Sequence, residues 1–157
     1  MLVPKLSPWG CIDHSEVVIP EHVWSVSTPG HGGYAVDKRW ARGHLSAECL
    51  AIGEAFSNCL WYEEDCAWAV LAWELPQALT AGTTSPELHD TNMRAMHSTI
   101  RAWYPLYCLA HSIPIEKEYA VNRLREFERM AERDGYWNKY AAEWREVVST
   151  LWPEEGK

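Results

Sequence analysis

The spacing of the apolar residues changes near residue 37, and this change constrains the fold more than any other feature of the sequence. Before it, the runs SEVVI (15–19) and HVWSVS (22–27) lie between Pro and Gly residues and are rich in Val, Ile and Trp, which is typical of short strands. Residues 34–36 form a possible third strand. Connections this short join antiparallel neighbours. The segment from about residue 9 to 36 is therefore predicted to be a small antiparallel β-meander.

From residue 37 to about 152, apolar residues recur every three or four positions, which is the spacing of amphipathic helices. The predicted helices span about 46–58 and 63–75, then a stretch that begins at Ser85 and Pro86 and is limited by Pro105, and finally about 116–134 and 138–152. The last residues, 153–157, are predicted to fray. We therefore expect one α+β domain over residues 1–157, in which the β-meander packs against four to five helices.

The acidic composition limits the kinds of partner. The chain has 157 residues with 22 Asp and Glu against 14 Lys and Arg, a net charge of -8 at pH 7, and such a field argues against direct nucleic-acid binding. The five cysteines form no CxxC pair, and no apolar run reaches the length of a signal peptide or a membrane helix. We therefore expect a cytoplasmic protein with reduced thiols and no membrane association.

A histidine among glycines, His31, is the first candidate for chemistry. It lies in the segment STPGHGG (27–33) at the end of a predicted strand, where glycines leave the backbone N–H groups unshielded. Such a loop could hold an anion, with His31 as an acid or base near neutral pH. A solvated hairpin loop accounts for the same residues, and no phosphate-loop pattern accompanies them. Both interpretations stay open.

Three consecutive acids, Glu63, Glu64 and Asp65, form the second candidate. They stand in the first turn of the predicted helix over 63–75, where one of them could serve as a metal ligand or general base, or pair with His31. The alternative is ordinary helix-start chemistry, because acidic groups are favoured at the positive end of the helix dipole. Consecutive helical residues point about 100° apart, so at most two of the three can face one site.

The strand arrangement brings the two candidates to one place. Asp13 and His14 precede the first strand and His31 follows the second, so antiparallel pairing puts both ends on the same side of the sheet. A helix that begins at Glu63 would cover this sheet. We expect a hydrogen-bonded junction with a structural role first and a functional role second. A small enzyme is the alternative, with His31 as acid or base and Asp13, His14 or one of the three acids as its partner or metal ligand.

Two pairs of possible metal ligands stand far apart in the sequence. Cys11 and His14 are three positions apart, as are Cys108 and His111, and together they would make a Cys₂His₂ set. The distance between the pairs is far outside zinc-finger spacing. We expect no metal site and no cofactor.

Ten tryptophans against two phenylalanines exceed what the apolar stripes require. Four of them, Trp9, Trp24, Trp40 and Trp137, fall at the edges of predicted elements or in loops. Partly exposed tryptophans give a large contact area and often anchor a protein interface. We expect these four to contact a partner, and the alternative is that they fill a small aromatic core.

Four short segments follow one another in order and form a recognisable set. They are Trp9-Gly10 with Asp13-His14, Ser27-Thr28 with His31-Gly32-Gly33, Trp61 to Asp65 with Trp68, and Trp103-Tyr104-Pro105. The set covers residues 8–112 and resembles an uncharacterised domain family, a domain of unknown function, found in bacteriophage, plasmid and proteobacterial accessory proteins. The resemblance implies no catalytic role, because no activity is established for that family. It implies a setting in small accessory genes of mobile elements, which often act in host takeover or in evading defence.

These observations favour a binding protein over an enzyme. We expect an inhibitor or adaptor that occupies a basic surface on a host protein, in a defence system that handles nucleic acid. The alternative is the small enzyme built around His31. The sequence gives no indication of the oligomeric state.

Overall fold

The computed structural model describes residues 3–80 and 85–154, and its internal contacts divide the chain into two units, residues 1–97 and residues 98–157. The single domain expected over 1–157 stays a prediction, and each unit is described by itself. The α+β class is confirmed, since antiparallel strands precede most of the helices. None of the helices in the two described ranges is long and apolar enough to cross a membrane.

Seven strands lie among the described residues of the first unit. They are β1 (Leu6–Ser7), β2 (Gly10–Cys11), β3 (His14–Ile19), β4 (Val23–Ser27), β5 (Gly32–Asp37), β6 (Glu54–Phe56) and β7 (Cys59–Glu63). β1 and β2 form a small hairpin, and the other five form one antiparallel sheet in the order β3-β4-β5-β7-β6. The predicted meander corresponds to β3, β4 and β5 and is confirmed. The sheet is wider than predicted, because β7 pairs with β5 and carries β6 on its other side.

Eight α-helices occur among the described residues, where four to five are predicted. They are α1 (Lys38–His44), α2 (Ala47–Ile52), α3 (Ala67–Glu74), α4 (Pro76–Thr80), α5 (Pro86–Trp103), α6 (Pro105–Ala110), α7 (Lys117–Arg133) and α8 (Asn138–Leu151). The predicted helix start at Ser85 and Pro86 is confirmed, and the Ser85 hydroxyl accepts a hydrogen bond from the Leu88 N–H at 3.2 Å. The predictions over 116–134 and 138–152 match α7 and α8. Residues 81–84 and 155–157, the latter within the predicted frayed tail, lie outside the described residues.

The prediction of a helix over 46–58 is wrong beyond Ile52. Gly53 ends α2, and the chain turns into β6, which pairs with β7. A Cβ atom at Gly53 would lie 2.8 Å from the ring of Tyr62, so only a glycine lets the backbone pass this close to β7. The region from 37 to 152 is therefore not wholly helical.

The prediction of a helix over 63–75 is wrong at its start. Cys59–Glu63 is strand β7, and the helix begins at Ala67. Trp61 and Tyr62 are both buried because their side chains enter the cores on opposite faces of the sheet. A strand buried on both faces lacks the alternation that identifies a strand. Glu63 therefore ends a strand, and Glu64 and Asp65 lie in the turn before α3.

Each unit has an apolar core of its own. In the first unit, one face of the sheet carries the buried cluster Trp24, Val26, Ala35, Cys59 and Trp61, and Trp9 and Ile12 pack against it. Most of helix α3 is buried, so its apolar residues are not confined to one stripe. In the second unit, Trp144, Val147 and Val148 of α8 are fully buried, as is Phe127 of α7.

Candidate functional site

Four strand termini meet at one end of the five-stranded sheet, and we call this place the His31 end. His14 at the start of β3 pairs with Ser27 at the end of β4, and Ser27 pairs with Gly32 at the start of β5. Gly33 then pairs with Glu63 at the end of β7. The antiparallel order of the strands thus brings three distant segments of the sequence together, as expected for His14 and His31.

His31 and Glu63 form a direct pair at this end. Nδ1 of His31 lies 3.1 Å from Oε1 of Glu63. The side chains are 48% and 32% exposed, so the pair is open to solvent. The ring of Trp9 lies 6.4 Å from the His31 ring and packs edge-on against Trp61 at 5.8 Å. A carboxylate therefore orients the imidazole, although it comes from a strand and not from a helix start.

Thr28 holds the backbone of His31. The Thr28 N–H and hydroxyl both donate to the His31 carbonyl, at 2.8 and 3.0 Å, and the His31 N–H donates to the Thr28 hydroxyl at 3.1 Å. Thr28 is buried at 8% exposure. Because the His31 N–H is engaged inside the loop, it does not serve an anion as the glycine-rich pattern suggested. The loop fixes the backbone and leaves the imidazole at the surface.

Gly33 makes the close approach of β5 to β7 possible. Its φ is +152°, a conformation that residues with a side chain rarely adopt, and a Cβ atom here would clash with the Tyr62 carbonyl and lie 2.8 Å from the Trp9 ring. The second glycine of the HGG segment is therefore required for geometry. It lets Glu63 and Trp9 approach the loop that carries His31.

A cavity of about 300 Å³ lies at the same end of the sheet. Its lining residues are His14, Ser25, Val26, Ser27, Gly32, Gly33, Tyr34, Glu64 and Trp68. The Glu64 N–H donates to the Gly32 carbonyl at 3.0 Å, and the Glu64 carboxylate occupies the space that a side chain at position 32 would fill. The Tyr34 hydroxyl donates to the Ala78 carbonyl at 2.8 Å, and burial raises the pKa of Tyr34.

Sequence reasoning missed Tyr34 and Trp68 as site residues. Tyr34 was assigned only to a strand, and Trp68 only to a motif. The alternation of β5 contained the signal, because Gly32 and Tyr34 must point to the same face of the sheet. The position of Trp68 depends on where α3 begins, which the sequence placed too early.

The remaining candidate residues, Asp13, His14 and Asp65, do not pair with His31 among the described residues. Asp13 accepts a hydrogen bond from the Ser27 hydroxyl at 3.1 Å. Nε2 of His14 lies 3.5 Å from Oε1 of Glu16, and both side chains are largely exposed. Asp65 is exposed and has no hydrogen-bond or ion-pair partner in the part of the chain that the structure describes. His31 and Glu63 do not line the cavity, although the enzyme alternative requires His31 at a pocket floor.

No group of three or more His, Cys, Asp or Glu side chains within residues 3–80 and 85–154 is arranged to hold a metal ion. Cys11 is exposed on β2, whereas Cys108 is buried in α6. Burial raises the pKa of the Cys108 thiol to about 12, which opposes the thiolate form that binds zinc.

The four tryptophans expected at the surface differ in exposure. Trp24 is buried at 1% exposure, so its assignment to a partner-binding surface is wrong. It is the second residue of β4 and belongs to the buried core cluster. Trp9, Trp40 and Trp137 are half-buried. The Trp40 ring stacks with the rings of His22 and His44, at centroid distances of 5.4 and 4.0 Å.

Comparison with known proteins gives one match. A family model described as a domain of unknown function (DUF7007) matches residues 3–133. This range includes every residue of the His31 end and of the cavity. No curated protein and no solved structure matches the chain.

Proposed function

The chain belongs to the DUF7007 family, and from this premise we propose that it acts by binding a partner protein with a basic surface. The setting that we propose is that of a phage-type accessory protein, which inhibits or redirects a component of a host defence system in the host cytosol. The setting is supported by the resemblance of the four ordered segments. The binding mode is supported by the charge and geometry of the His31 end.

The distribution of charge is the observation that carries the proposal. Residues 1–97 hold twelve acidic and five basic side chains, a net charge of -7, whereas residues 98–157 hold ten and nine, a net charge of -1. Five of the acids lie at or beside the His31 end. They are Asp13, Glu16, Glu63, Glu64 and Asp65.

Across residues 3–80 and 85–154, these five carboxylates have no lysine or arginine as an ion-pair partner. Within the described ranges, their ion-pair partners are His14 for Glu16 and His31 for Glu63, at 3.5 and 3.1 Å. An uncompensated negative patch attracts a positive surface and disfavours partners of like charge. Trp9 and Trp68 stand half-buried beside the patch and add aromatic contact area. The patch therefore has the composition of an interface for a basic protein.

The test is capture of the partner from a lysate of the host bacterium on an immobilised chain. One triple variant removes three charges from the patch: Glu63→Gln, Glu64→Gln and Asp65→Asn. A matched control removes three exposed charges elsewhere: Glu132→Gln, Glu146→Gln and Glu154→Gln. Both variants have the same net charge, so any difference between them reports on position and not on total charge.

We expect a stoichiometric partner that the wild type and the control capture at 150 mM salt and that the patch variant loses. Capture by the wild type should weaken as salt is raised. If both triple variants lose capture equally, capture depends on total negative charge and not on the patch, which would contradict the proposed binding site. Failure of the wild type to capture any stoichiometric protein, at low as well as physiological salt, would contradict the proposal.

The His31–Glu63 pair favours a second candidate function, a small acid–base enzyme. A carboxylate at Nδ1 holds the imidazole with its proton on that nitrogen and leaves Nε2 free to accept a proton. His31→Ala and Glu63→Gln separate the two functions. Variants that capture the partner as well as the wild type but lose the biological effect would favour the enzyme. Parallel loss of capture and effect would favour the binding protein.

A further inference from the structure

Building on the proposed function, we propose that the 300 Å³ cavity at the His31 end is a receptor for an arginine side chain of the partner. The residues that line it come from three of the four ordered segments of the sequence, together with Ser25, Val26 and Tyr34. The proposal rests on the one carboxylate of the cavity, on its hydrogen-bond acceptors and on its aromatic wall.

Glu64 supplies the charge. Its carboxylate lies over Gly32, in the space that any larger residue there would fill. Among the described residues, no lysine, arginine or histidine pairs with it. Its backbone N–H is bonded to the Gly32 carbonyl, so the residue is held in place at the cavity wall. A ligand that enters the cavity therefore meets a carboxylate that has no cationic partner among the described residues and whose backbone is held at the cavity wall.

Two hydroxyl groups of the cavity can only accept hydrogen bonds from a ligand. The Tyr34 hydroxyl already donates its proton to the Ala78 carbonyl at 2.8 Å. The Ser27 hydroxyl already donates its proton to Oδ1 of Asp13 at 3.1 Å. Their remaining lone pairs suit a ligand that is rich in donors. His14 and the Ser25 hydroxyl also line the cavity and can donate. The Glu64 charge and the two acceptor hydroxyls nevertheless favour a cation with several N–H groups over an anion.

Trp68 distinguishes a guanidinium from an ammonium group. Trp68 is the aromatic residue beside Tyr34 in the cavity lining, and its side chain is half-buried. A guanidinium is planar, carries five N–H donors in a fixed geometry and stacks on aromatic rings, whereas an ammonium is a strongly hydrated point charge with three donors. A cavity with an indole, a carboxylate and two acceptor hydroxyls fits the guanidinium better. We therefore assign arginine, and not lysine, to the partner.

The test uses N-acetyl-L-arginine amide as the probe, titrated into the ¹⁵N-labelled full chain and followed by NMR. We expect saturable shifts at the Trp68 indole N–H and at the amides of Gly32 and Gly33. The uncharged analogue N-acetyl-L-citrulline amide should bind at least ten times more weakly, and N-acetyl-L-lysine amide several times more weakly. Glu64→Gln should weaken arginine binding at least tenfold. Glu54→Gln, an exposed acid on β6 with the same change of charge, should leave binding unchanged.

The proposal fails if the shifts do not saturate, if they spread over the whole acidic surface, or if citrulline amide binds as well as arginine amide. Unchanged binding by Glu64→Gln, with the folded spectrum retained, would also overturn it. Its failure is distinguishable from that of the proposed function. If the wild type captures a partner that the patch variant loses, but arginine amide does not bind saturably, the proposed interface is supported and the arginine receptor is refuted. If arginine amide binds saturably but no partner is captured, the arginine receptor is supported and the proposed partner-binding function is refuted.

Discussion

Nδ1 of His31 lies 3.1 Å from Oε1 of Glu63, although strands β5, β6 and β7 and helices α1 and α2 lie between the two residues in the sequence. The pair is open to solvent. The exposure changes what the pair can contribute. A buried partner left unpaired costs about 1–3 kcal/mol, whereas an exposed ion pair contributes about 0–1 kcal/mol. The junction is therefore a weak source of stability, and its geometry has to be explained by the backbone around it.

We predict that His31→Ala lowers the melting temperature by less than about 3 °C, since about 1 kcal/mol corresponds to roughly 2–4 °C in a chain of this length. Differential scanning calorimetry measures the change, with Glu63→Gln as the companion variant. A decrease of more than about 6 °C in the melting temperature of either variant would contradict this prediction and support the structural role of the junction that was expected from the sequence.

Gly33 contributes far more to stability than His31. We predict that Gly33→Ala destabilises the fold by at least about 2 kcal/mol, because its φ of +152° is strained for alanine and the added Cβ would clash with the Tyr62 carbonyl. Gly43→Ala is the matched control. Position 43 lies in helix α1 with open space around it, so alanine should stabilise the chain by up to about 1 kcal/mol. Urea unfolding measures both values, and equal effects of the two substitutions would refute the argument.

Ser46 and Glu74 join two helices of the first unit. The Ser46 hydroxyl caps α2 by accepting from the Cys49 N–H at 3.1 Å and donates to Oε1 of Glu74 at 2.5 Å, while the Ser46 N–H donates to Oε2 at 2.8 Å. We predict that Ser46→Ala costs about 1–2 kcal/mol, the usual range for a lost helix cap. Ser149→Ala, at an exposed helical hydroxyl, should change the unfolding free energy by less than about 0.5 kcal/mol. A similar loss of unfolding free energy in both variants would show that the hydrogen bonds of Ser46 do not stabilise the fold more than an exposed helical hydroxyl does.

The buried thiols make stability depend on alkaline pH. Burial raises the pKa of Cys49 and Cys108 to about 12 and that of Cys59 to about 11, from 9.0. Above pH 9 the unfolded chain releases thiol protons that the folded chain retains. The unfolding free energy should therefore be constant below pH 8 with respect to these thiols and should fall as the pH rises from 9 towards 11.

Urea unfolding at pH 7.5, 9.0 and 10.0 measures this decrease. Replacing Cys49 by Ser removes one of the three thiols and should reduce the decrease, whereas Cys11→Ser, at an exposed position, should leave it unchanged. Iodoacetamide should modify Cys11 in the native chain well before Cys49, Cys59 and Cys108. Rapid native labelling of Cys49 would show that its thiol is not protected by burial.

The sequence predicted those parts of the fold whose signals are local. The runs 15–19 and 22–27 are rich in Val, Ile and Trp and are separated by a two-residue turn, so the pairing of β3 with β4 followed directly. The strong amphipathic stripes and the Pro and Gly boundaries likewise located α7 and α8 within two residues. The meeting of His14 with the loop of His31 followed from antiparallel geometry alone.

The parts that it missed depend on contacts between distant residues. β7 is recognisable as a strand only through its pairing with β5, since Trp61 and Tyr62 are buried on opposite faces and show no alternation. Acidic residues at 63–65 are equally compatible with a strand end and with a helix start. The cavity needed both the register of β5 on β7 and the true start of α3, and neither can be read from local spacing.

The unequal charge of the two units has a consequence for the rate at which the proposed basic partner would associate. With a net charge of -7 on residues 1–97 and -1 on residues 98–157, long-range attraction acts almost entirely through the first unit. At physiological ionic strength it extends over a screening length of about 8 Å. A positively charged molecule that diffuses within this distance is turned towards the first unit before any atoms touch. Productive collisions are thereby enriched, and the association rate constant should fall steeply with added salt, while dissociation depends on the short-range contacts made afterwards.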